Sequence, residues 1–316
     1  MQTVFHQDYP SDRVEILIAD GMSDDDTRSV ILEMQGEVPH IQLFDNPGHI
    51  VPKGMNILIP KAKGEILIRV DGHCVIAPDY VSSCVSHLQK DGVDGVGGPM
   101  VTVGEDRVSQ VIALAMSSKF GVGGSSFRTA TGQTRLVDTV PFPAYTREII
   151  ERVGLYDEEL VRNQDDEYNY RIRGSGGKIL LADDVRSTYY SRGSLGKLWK
   201  QYFQYGYWKV RVLQKHPRQM SLRQFIPPLF VMGLIAALIM AMIIKWGWLV
   251  LIGYTGLYLV ANLTASIIIA LQKGWKYFWH LPVVFATIHV SYGLGFSVGL
   301  IVFTNRWKDK EGRVPL

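Results

Sequence analysis

The chain has 316 residues, of which 47% are hydrophobic and 20% charged, and its formal net charge is +3. This length exceeds that of most single domains and favours two structural parts. So small a positive excess gives no reason to expect a nucleic-acid partner. The first ten residues lack the basic and apolar pattern of a secretory signal. Cys74 and Cys84 form no CxxC pair, so we expect reduced thiols in a cytosolic domain.

Residues 1–224 read as alternating strands and helices. EILIAD (15–20), IQLF (41–44) and EILIRV (65–70) are short apolar runs typical of buried strands. Ser23 is a candidate N-cap with Asp26 three residues on, and Pro78 begins a helix that runs to about Lys90. The pattern predicts an α/β fold, with a mainly parallel sheet and helices on both faces.

Two acids, Asp20 and Asp71, stand at the ends of predicted strands. Ligands of parallel α/β sheets bind at the carboxyl ends of the strands, so we expect both acids in one crevice. An Asp after a strand can equally form a turn or cap a helix.

His73 follows two residues after Asp71. If the strand continues, the two side chains project together and could hold a divalent cation that bridges the phosphates of a nucleotide. The alternative is a strand-ending turn with an incidental histidine.

An acidic run, Gln164-Asp165-Asp166-Glu167, opens a helix that continues as YNYRIRG. Acids are favoured in the first turn of a helix because of the helix dipole, so a solvated first turn is one interpretation. The other is a general base that takes the proton from an attacking hydroxyl.

The order of these motifs resembles that of the family 2 glycosyltransferases over residues 8 to about 215. EILIADGMSDDDT resembles the second strand of that family and its Asp-Gly-Ser turn, and EILIRVDGH resembles the strand that leads to its DxD motif. NQDDEYNYRIRG resembles the ED motif, and QYGYW (204–208) resembles QxxRW. NPGHIVPKGMN and the histidine-type DxD variant most resemble glycosyltransferases of succinoglycan-type exopolysaccharide synthesis.

The resemblance implies a Rossmann-like α/β domain of GT-A type, an inverting transfer from a UDP-sugar, and a role for each matching residue. Asp165 would be the catalytic base, because Arg171 sets the register of the ED motif. The other implied roles are donor binding by Asp20, Asp71 and Arg147, binding of Mn²⁺ or Mg²⁺ by Asp71 and His73, and contacts on the acceptor or diphosphate side by Gln204 and Trp208. For Arg147, a plain surface arginine is an equal alternative.

The chain also departs from the family pattern. His73 replaces the second acid of the DxD motif, Gln164 the first acid of the ED motif, and Tyr207 the Arg of QxxRW. The last change favours addition of a single sugar over processive synthesis. The first βα unit of the family has no match upstream of QDYP, so we expect a strand to be missing from the middle of the sheet.

A basic amphipathic stretch precedes the apolar part. Residues 194–224 carry an apolar face with basic residues typical of a helix at the headgroup region, namely Lys197, Lys200, Lys209, Arg211 and Lys215. A core-facing helix is the alternative. Residues 225–245, 247–271 and 278–303 are three apolar spans of at least 20 residues, flanked by Trp and Tyr.

These features predict three domains: a cytosolic catalytic domain (1–193), an interface helix (194–224) and a membrane domain (225–316). The basic residues between 197 and 223 favour a multi-pass protein of the cytoplasmic (inner) membrane with its catalytic domain in the cytosol. Three crossings would then place the basic tail RWKDKEGR on the other side, against the same rule.

The resemblance implies a UDP-sugar donor and a lipid-linked (polyprenyl diphosphate) saccharide acceptor, with other polysaccharide-assembly proteins as candidate partners. The predicted function is sugar transfer in exopolysaccharide synthesis. A weakly active or inactive assembly subunit of the same fold is the alternative. A transporter is disfavoured because the spans carry no deep charged residue, and only Asn262 and His289 are polar and deep.

Overall fold

The structure, a computed structural model, describes residues 2–38, 40–129 and 132–308. Its described residues divide into two units. The first holds residues up to 100 and from 132 to 187, and the second holds residues 101–129 and 188–308. This grouping differs from the predicted domains, because residues 101–129 belong with the C-terminal helices. The predicted functional boundaries at 193 and 224 stay a prediction.

The chain contains short strands, as the brief apolar runs predict. In order they are β1 (Ile16–Asp20), β2 (Ile41–Asp45), β3 (Ile66–Ile68), β4 (Cys74–Ile76), β5 (Gly95–Gly97), β6 (Met100–Val103), β7 (Arg135–Leu136), β8 (Ala144–Thr146), β9 (Ile179–Leu181) and β10 (Ser187–Tyr190). The helices of the first unit are α1 (Gln2–Phe5), α2 (Thr27–Glu37), α3 (Val51–Leu58), α4 (Tyr80–Lys90), α8 (Arg147–Val153) and α9 (Gln164–Gly174). Those of the second are α5 (Arg107–Met116), α6 (Lys119–Val122), α7 (Ser126–Thr129), α10 (Leu195–Lys215), α11 (Leu222–Ile243), α12 (Gly247–Lys273) and α13 (Leu281–Val302).

The main sheet of the first unit has the strand order β3-β8-β5-β9-β7. The pair β5/β9 is parallel, whereas β3/β8, β5/β8 and β7/β9 are antiparallel. The predicted α/β class with three apolar C-terminal helices is therefore confirmed, but the expected mainly parallel sheet was wrong, since the sheet is mixed. The reason is β8, an apolar strand (AYT) that enters antiparallel between β3 and β5.

The strands β1 and β2 form a separate parallel pair, in register from Ile16 opposite Ile41 to Asp20 opposite Asp45. Among the described residues this pair has no strand partner in the main sheet. The expectation that Asp20 and Asp71 share one sheet edge is consequently not met.

An imidazole between two carboxylates links α4 to the turn after β9. His87 Nδ1 lies 2.6 Å from Asp91 Oδ2, and its Nε2 lies 2.8 Å from Asp184 Oδ1. Partial burial lowers the pKa of His87, but the two carboxylates more than offset this and raise it above its usual value. With both ring nitrogens facing an acid, the imidazolium form is the one that satisfies this link.

The two cysteines are free, as expected. Cys84 is buried in α4, and burial raises the pKa of the Cys74 thiol to about 11. Neither thiol therefore ionises readily at neutral pH.

Three helices of the second unit, α11, α12 and α13, are long and apolar enough to cross a membrane. Their mean hydropathies are 2.4, 1.6 and 1.6, and their 22 to 27 residues exceed the roughly 20 needed for the hydrocarbon core. They match the three predicted spans to within a few residues at each end. About half of α13 is buried by other parts of the protein, against 17% for each of the others.

Helix α10 packs along α13 through glycines. A Cβ on Gly206 would lie 2.0 Å from the carbonyl oxygen of Tyr292, and a Cβ on Gly295 would lie 2.0 Å from that of Phe203. Gly299 faces the backbone of Tyr207 in the same way. Because backbone atoms cannot move aside as a side chain can, only glycine fits at these positions.

Because of this packing, several basic residues of α10 are buried within the protein. Lys209, Arg211 and Lys215 are at most 3% exposed, so the expectation that they face lipid headgroups was wrong. Arg211 instead donates from Nη1 to the carbonyl of Arg306, just beyond the end of α13. A cation at the C-terminal end of a helix interacts favourably with the helix dipole. Lys197 and Lys200 remain exposed.

We expect Gly295→Leu to destabilise the chain by about 1–3 kcal/mol or more, since the new side chain must displace the backbone of α10. The measurement is the thermal unfolding midpoint of the detergent-purified chain. Gly256→Leu is the matched control, because Gly256 lies in an apolar helix with nothing within 4 Å of its Cβ position. Equal midpoints for the two variants would contradict the tight α10–α13 contact.

The His87 link predicts a pH-dependent stability. Because the pKa of His87 is raised in the folded state, its stabilising contribution is complete below the unfolded value of about 6.5 and is lost as the pH rises through the folded value. The unfolding midpoint of the wild type should therefore fall more between pH 6 and pH 9 than that of His87→Gln. Parallel curves would count against this link.

Candidate active site

The side chain of Arg69, just beyond β3, joins two of the predicted functional acids. Its Nε and Nη2 donate to the two oxygens of Asp71, at 2.8 and 3.0 Å, and its Nη1 donates to Asp165 Oδ1. Asp165 lies 96 residues further along the chain, in the first turn of α9. The structure thus brings Asp71 and Asp165 together, two of the three acids to which the sequence analysis assigned a role.

Arg69 is itself buried, with only 7% of its side chain exposed. Burial disfavours its charge, but Asp165 and Asp71 hold its pKa well above the usual value, so the guanidinium stays charged. The sequence analysis missed this residue. The available signal was a charged residue at the end of an otherwise apolar strand, two positions before Asp71.

Asp165 is held but remains accessible. Its Oδ1 accepts from Arg69, while 38% of the side chain is exposed. Its surroundings raise the pKa of this carboxyl above the usual value, chiefly through desolvation, whereas Arg69 lowers it and the Asp71 charge adds to the rise. A carboxylate with a raised pKa and one oxygen not bonded to Arg69 can accept a proton from a bound hydroxyl.

The acids around Asp165 have different surroundings. Glu167 is 1% exposed and forms a two-point ion pair with Arg171, with distances of 2.7 and 3.1 Å. Arg171 also donates to the carbonyls of Val153 and Leu155, which ties α9 to the end of α8. Glu167 and Arg171 therefore build the scaffold, and Asp165 is the acid of this run that faces Arg69.

Asp20 is engaged within its own turn. Its carboxylate accepts from the hydroxyl and backbone N–H of Ser23 and from Arg28, and only 3% of its side chain is exposed. These bonds lower its pKa, chiefly through the Ser23 hydroxyl. Ser23 is thus not the N-cap of α2, which begins at Thr27 after Asp26. The described contacts do not connect Asp20 to Asp71 or Asp165, and its contact with a nucleotide stays a prediction.

Arg147, at the start of α8, binds the turn after α3. Its guanidinium donates to the carbonyls of Ala62 and Gly64, at 2.6 to 2.9 Å. These backbone carbonyls hold the guanidinium in place. Its role at the donor stays a prediction.

Asp71 and His73 lie in a turn between β3 and β4, closed by a hydrogen bond from the backbone N–H of Cys74 to the carbonyl of Asp71. The condition that β3 continues through both residues is therefore not met. Within the described ranges no group of three or more metal-ligating side chains occurs. One carboxylate and one nearby imidazole fit a divalent cation only when phosphate oxygens and water supply the other ligands, as is usual for Mg²⁺.

Gln204 and Trp208 lie on α10, in the second unit. A groove of about 460 Å³ runs along this face of the helix, lined by Trp199, Lys200, Phe203, Gln204, Tyr207 and Trp208. Trp208 packs on Phe303 with ring centroids 5.8 Å apart. The groove is mostly aromatic with one exposed cation.

Known proteins resemble the chain over most of its length. It is 31% identical over 300 residues to the succinoglycan biosynthesis protein ExoA of Rhizobium meliloti. The alignment covers 92% of this chain and 87% of that protein. It is 27% identical over 316 residues to a dolichyl N-acetyl-α-D-glucosaminyl phosphate 3-β-D-2,3-diacetamido-2,3-dideoxy-β-D-glucuronosyltransferase of Methanococcus voltae, covering 98% and 94% of the two chains.

Solved structures give weaker matches. TarS of S. aureus in complex with UDP aligns with a TM-score of 0.45 and 14% identity, over 94% of this chain and 85% of that one. GalNAc-T7 with UDP, GalNAc and Mn²⁺ aligns with a TM-score of 0.47 and 18% identity, over 70% and 47%.

The family model described as glycosyl transferase family 2 matches residues 1–154. This stretch contains Arg69 and Asp71, and the identity to the Rhizobium protein extends the relationship beyond it to nearly the whole chain. The chain belongs to glycosyl transferase family 2.

Proposed function

We propose that the chain transfers a sugar from a UDP-sugar to a lipid-linked saccharide, with inversion at the anomeric carbon, in the synthesis of an exopolysaccharide. The observation that carries the proposal is the Arg69 guanidinium holding Asp71 and Asp165 together in a member of glycosyl transferase family 2. The names of the two relatives, one in succinoglycan biosynthesis and one acting on a dolichyl-linked sugar, support this acceptor class.

In the proposed reaction Asp165 is the general base. The hydroxyl of the acceptor attacks the anomeric carbon, the bond to the nucleoside diphosphate breaks on the opposite side, and the hydroxyl proton passes to Asp165. Arg69 occupies one oxygen of Asp165, so the other oxygen is the one available for the proton. The proton moves late, when the attacking oxygen has become acidic, so a carboxylate is a sufficient base.

Asp71 and His73 are the proposed ligands of Mn²⁺ or Mg²⁺, with the donor phosphates completing the coordination. When bound, the cation would neutralise charge on the diphosphate leaving group. Arg69 is a positioning residue in this scheme, because it holds the base and the Asp71 carboxylate at a set separation. Asp20 and Arg147 on the donor side, and Gln204 and Trp208 on the acceptor or diphosphate side, complete the proposed set.

The proposed location is the cytoplasmic (inner) membrane, with α11, α12 and α13 as crossings and the first unit in the cytosol. The exposed Lys197 and Lys200 near the start of α10 agree with a cytosolic side. Residues 309–316, which hold most of the basic tail, lie outside the described part of the chain. Other polysaccharide-assembly proteins remain proposed partners.

Asp165→Asn should reduce turnover by about a hundred- to ten-thousand-fold, because an amide cannot take the proton. The measurement is UDP release by the full chain in nanodiscs, with a panel of UDP-sugars, Mn²⁺ or Mg²⁺ and membrane lipid extract. The control is Asp24→Asn, which changes an exposed aspartate of the same unit.

Wild-type turnover that persists undiminished in Asp165→Asn would rule out this base. Complete lack of wild-type turnover with every donor would instead favour an assembly subunit that keeps the fold without the reaction.

Arg69→Lys should lower kcat by about ten- to a hundredfold, since a misplacement of catalytic groups by about 1 Å has effects of this size. Lysine keeps the charge but cannot form a planar fork across two carboxylates. The control is Arg152→Lys, because Arg152 makes an exposed pair with Glu148. A kcat for Arg69→Lys equal to that of the control would show that the bridge does not position the base.

A further inference from the structure

The helices α11 and α12 form an antiparallel hairpin. At one end the rings of Phe230 and Tyr258 stack with centroids 4.3 Å apart. At the other end a Cβ on Gly247 would lie 2.0 Å from the carbonyl oxygen of Met240, next to the turn that joins the two helices. We call the end away from this turn the base of the hairpin, formed by residues 222–230 and 258–273.

Helix α13 begins at the base of the hairpin. It follows α12 after the short segment 274–280. Asn262 of α12 donates from Nδ2 to the carbonyl of Pro282, in the first turn of α13, at 3.0 Å. Two turns further along α13, His289 Nδ1 lies 3.0 Å from the hydroxyl of Tyr258. These contacts fix the first half of α13 to the base.

Helix α13 also ends at the base of the hairpin. Gln214, in the last turn of α10, donates from Nε2 to the carbonyl of Phe303 at 2.8 Å. The segment 216–221 then leads directly from α10 into α11. Phe296 packs on Phe225, in the first turn of α11, with ring centroids 6.0 Å apart. Both ends of α13 therefore lie at the same end of the hairpin.

The middle of α13 meets α11 near the base as well. A Cβ on Gly293 would lie 2.5 Å from the carbonyl oxygen of Pro227 and 2.4 Å from the side chain of Val231. Toward the hairpin turn, Met242 and Ile243 of α11 are exposed. Helix α13 therefore passes across the base and does not run beside α11 toward the turn.

The position of α10 is incompatible with a crossing by α13. The backbone of Phe203 lies against Gly295, and α10 runs in the same direction as α13. The exposed Lys200, one turn before Phe203, consequently lies beside the middle of α13. If α13 crossed the bilayer, this lysine would lie in the hydrocarbon core, where a charged side chain is costly.

The distribution of basic residues supports the same arrangement. If only α11 and α12 cross, the segments before α11, between α12 and α13, and after α13 share one side of the membrane. Those segments carry most of the basic residues of this part of the chain, among them Lys197, Lys200, Arg218, Lys276, Arg306 and Lys308. The hairpin turn carries Lys245. Two crossings therefore agree with the positive-inside rule, which three crossings contradict at the C-terminal end.

We propose that α13 lies along the surface of the bilayer, paired with α10, and that α11 and α12 alone cross. The exposed apolar residues Val283, Val298 and Ile301 share one side of α13 at helical spacing, and this side is its contact with the lipid interface. The inference rests on the proposed membrane location and changes it at one helix, since the chain crosses twice instead of three times. It does not depend on the transfer reaction.

The first test labels added cysteines of the full chain in intact cells with a membrane-impermeant maleimide. Lys245→Cys, Lys276→Cys and Lys308→Cys place a thiol at exposed positions in the hairpin turn, before α13 and after α13. We expect labelling of Lys245→Cys alone, with the other two at the background that Cys74 and Cys84 give in the wild type. All three should be labelled after permeabilisation.

Labelling of Lys308→Cys on the side opposite to Lys276→Cys would show that α13 crosses, and would overturn the proposal. This comparison holds for either orientation of the chain in the membrane. If none of the three variants is labelled before permeabilisation, the hairpin itself does not cross. The proposed membrane location then fails together with this inference, whereas the transfer reaction is judged separately by UDP release.

The second test measures the depth of α13 in nanodiscs with spin labels at Val283→Cys and Val298→Cys. These residues are about 22 Å apart along the helix axis, at 1.5 Å per residue. A surface helix places both labels at similar depths, as judged by lipid-soluble and aqueous quenchers. The control pair is Ile226→Cys and Met242→Cys on α11, which should differ in depth by about the length between them. A difference for α13 as large as that of the control would contradict the surface position.

Discussion

The candidate active site of the first unit depends on one buried charge. Arg69 must stay ionised in a place with little access to water, and that is tolerable only when carboxylates surround it. Asp71 comes from the turn that directly follows Arg69, and Asp165 comes from the start of α9, far along the chain. The helix that carries the proposed base is thereby linked to the strand that leads to the DxD-like turn. The second buried ion pair, between Glu167 and Arg171, fixes the same helix from its other side to the end of α8.

Much of this architecture could be predicted because its signals are local. The three spans are continuous apolar runs whose length alone sets their identity, and α11, α12 and α13 match them. The strands that precede Asp20 and Asp71 follow from short apolar runs that end in an acid. Asp71 directly follows an apolar run and Asp165 lies in an acidic run that opens a helix, so both could be singled out from the sequence, and the structure joins them through Arg69.

The features that could not be predicted depend on contacts between residues that are far apart in the sequence. The role of Arg69 is defined by its contact with Asp165. The position of Tyr156 is defined by the ring of Tyr168 and by the backbone hydrogen bonds to Asn56. The antiparallel direction of β8 could not be predicted, because the apolar pattern of a three-residue strand does not specify its direction in the sheet. The burial of Lys209, Arg211 and Lys215 could not be predicted from an amphipathic pattern, because that pattern fits a lipid surface and a neighbouring helix equally well.

The glycine contacts between α10 and α13 have a mechanical consequence. Two helices whose backbones touch at Gly206, Gly295 and Gly299 leave no layer of side chains that could deform between them. We therefore expect the two helices to move together as one rigid body. The aromatic groove on α10 is consequently carried at a constant depth relative to the apolar helix α13, whatever motions the rest of the chain undergoes.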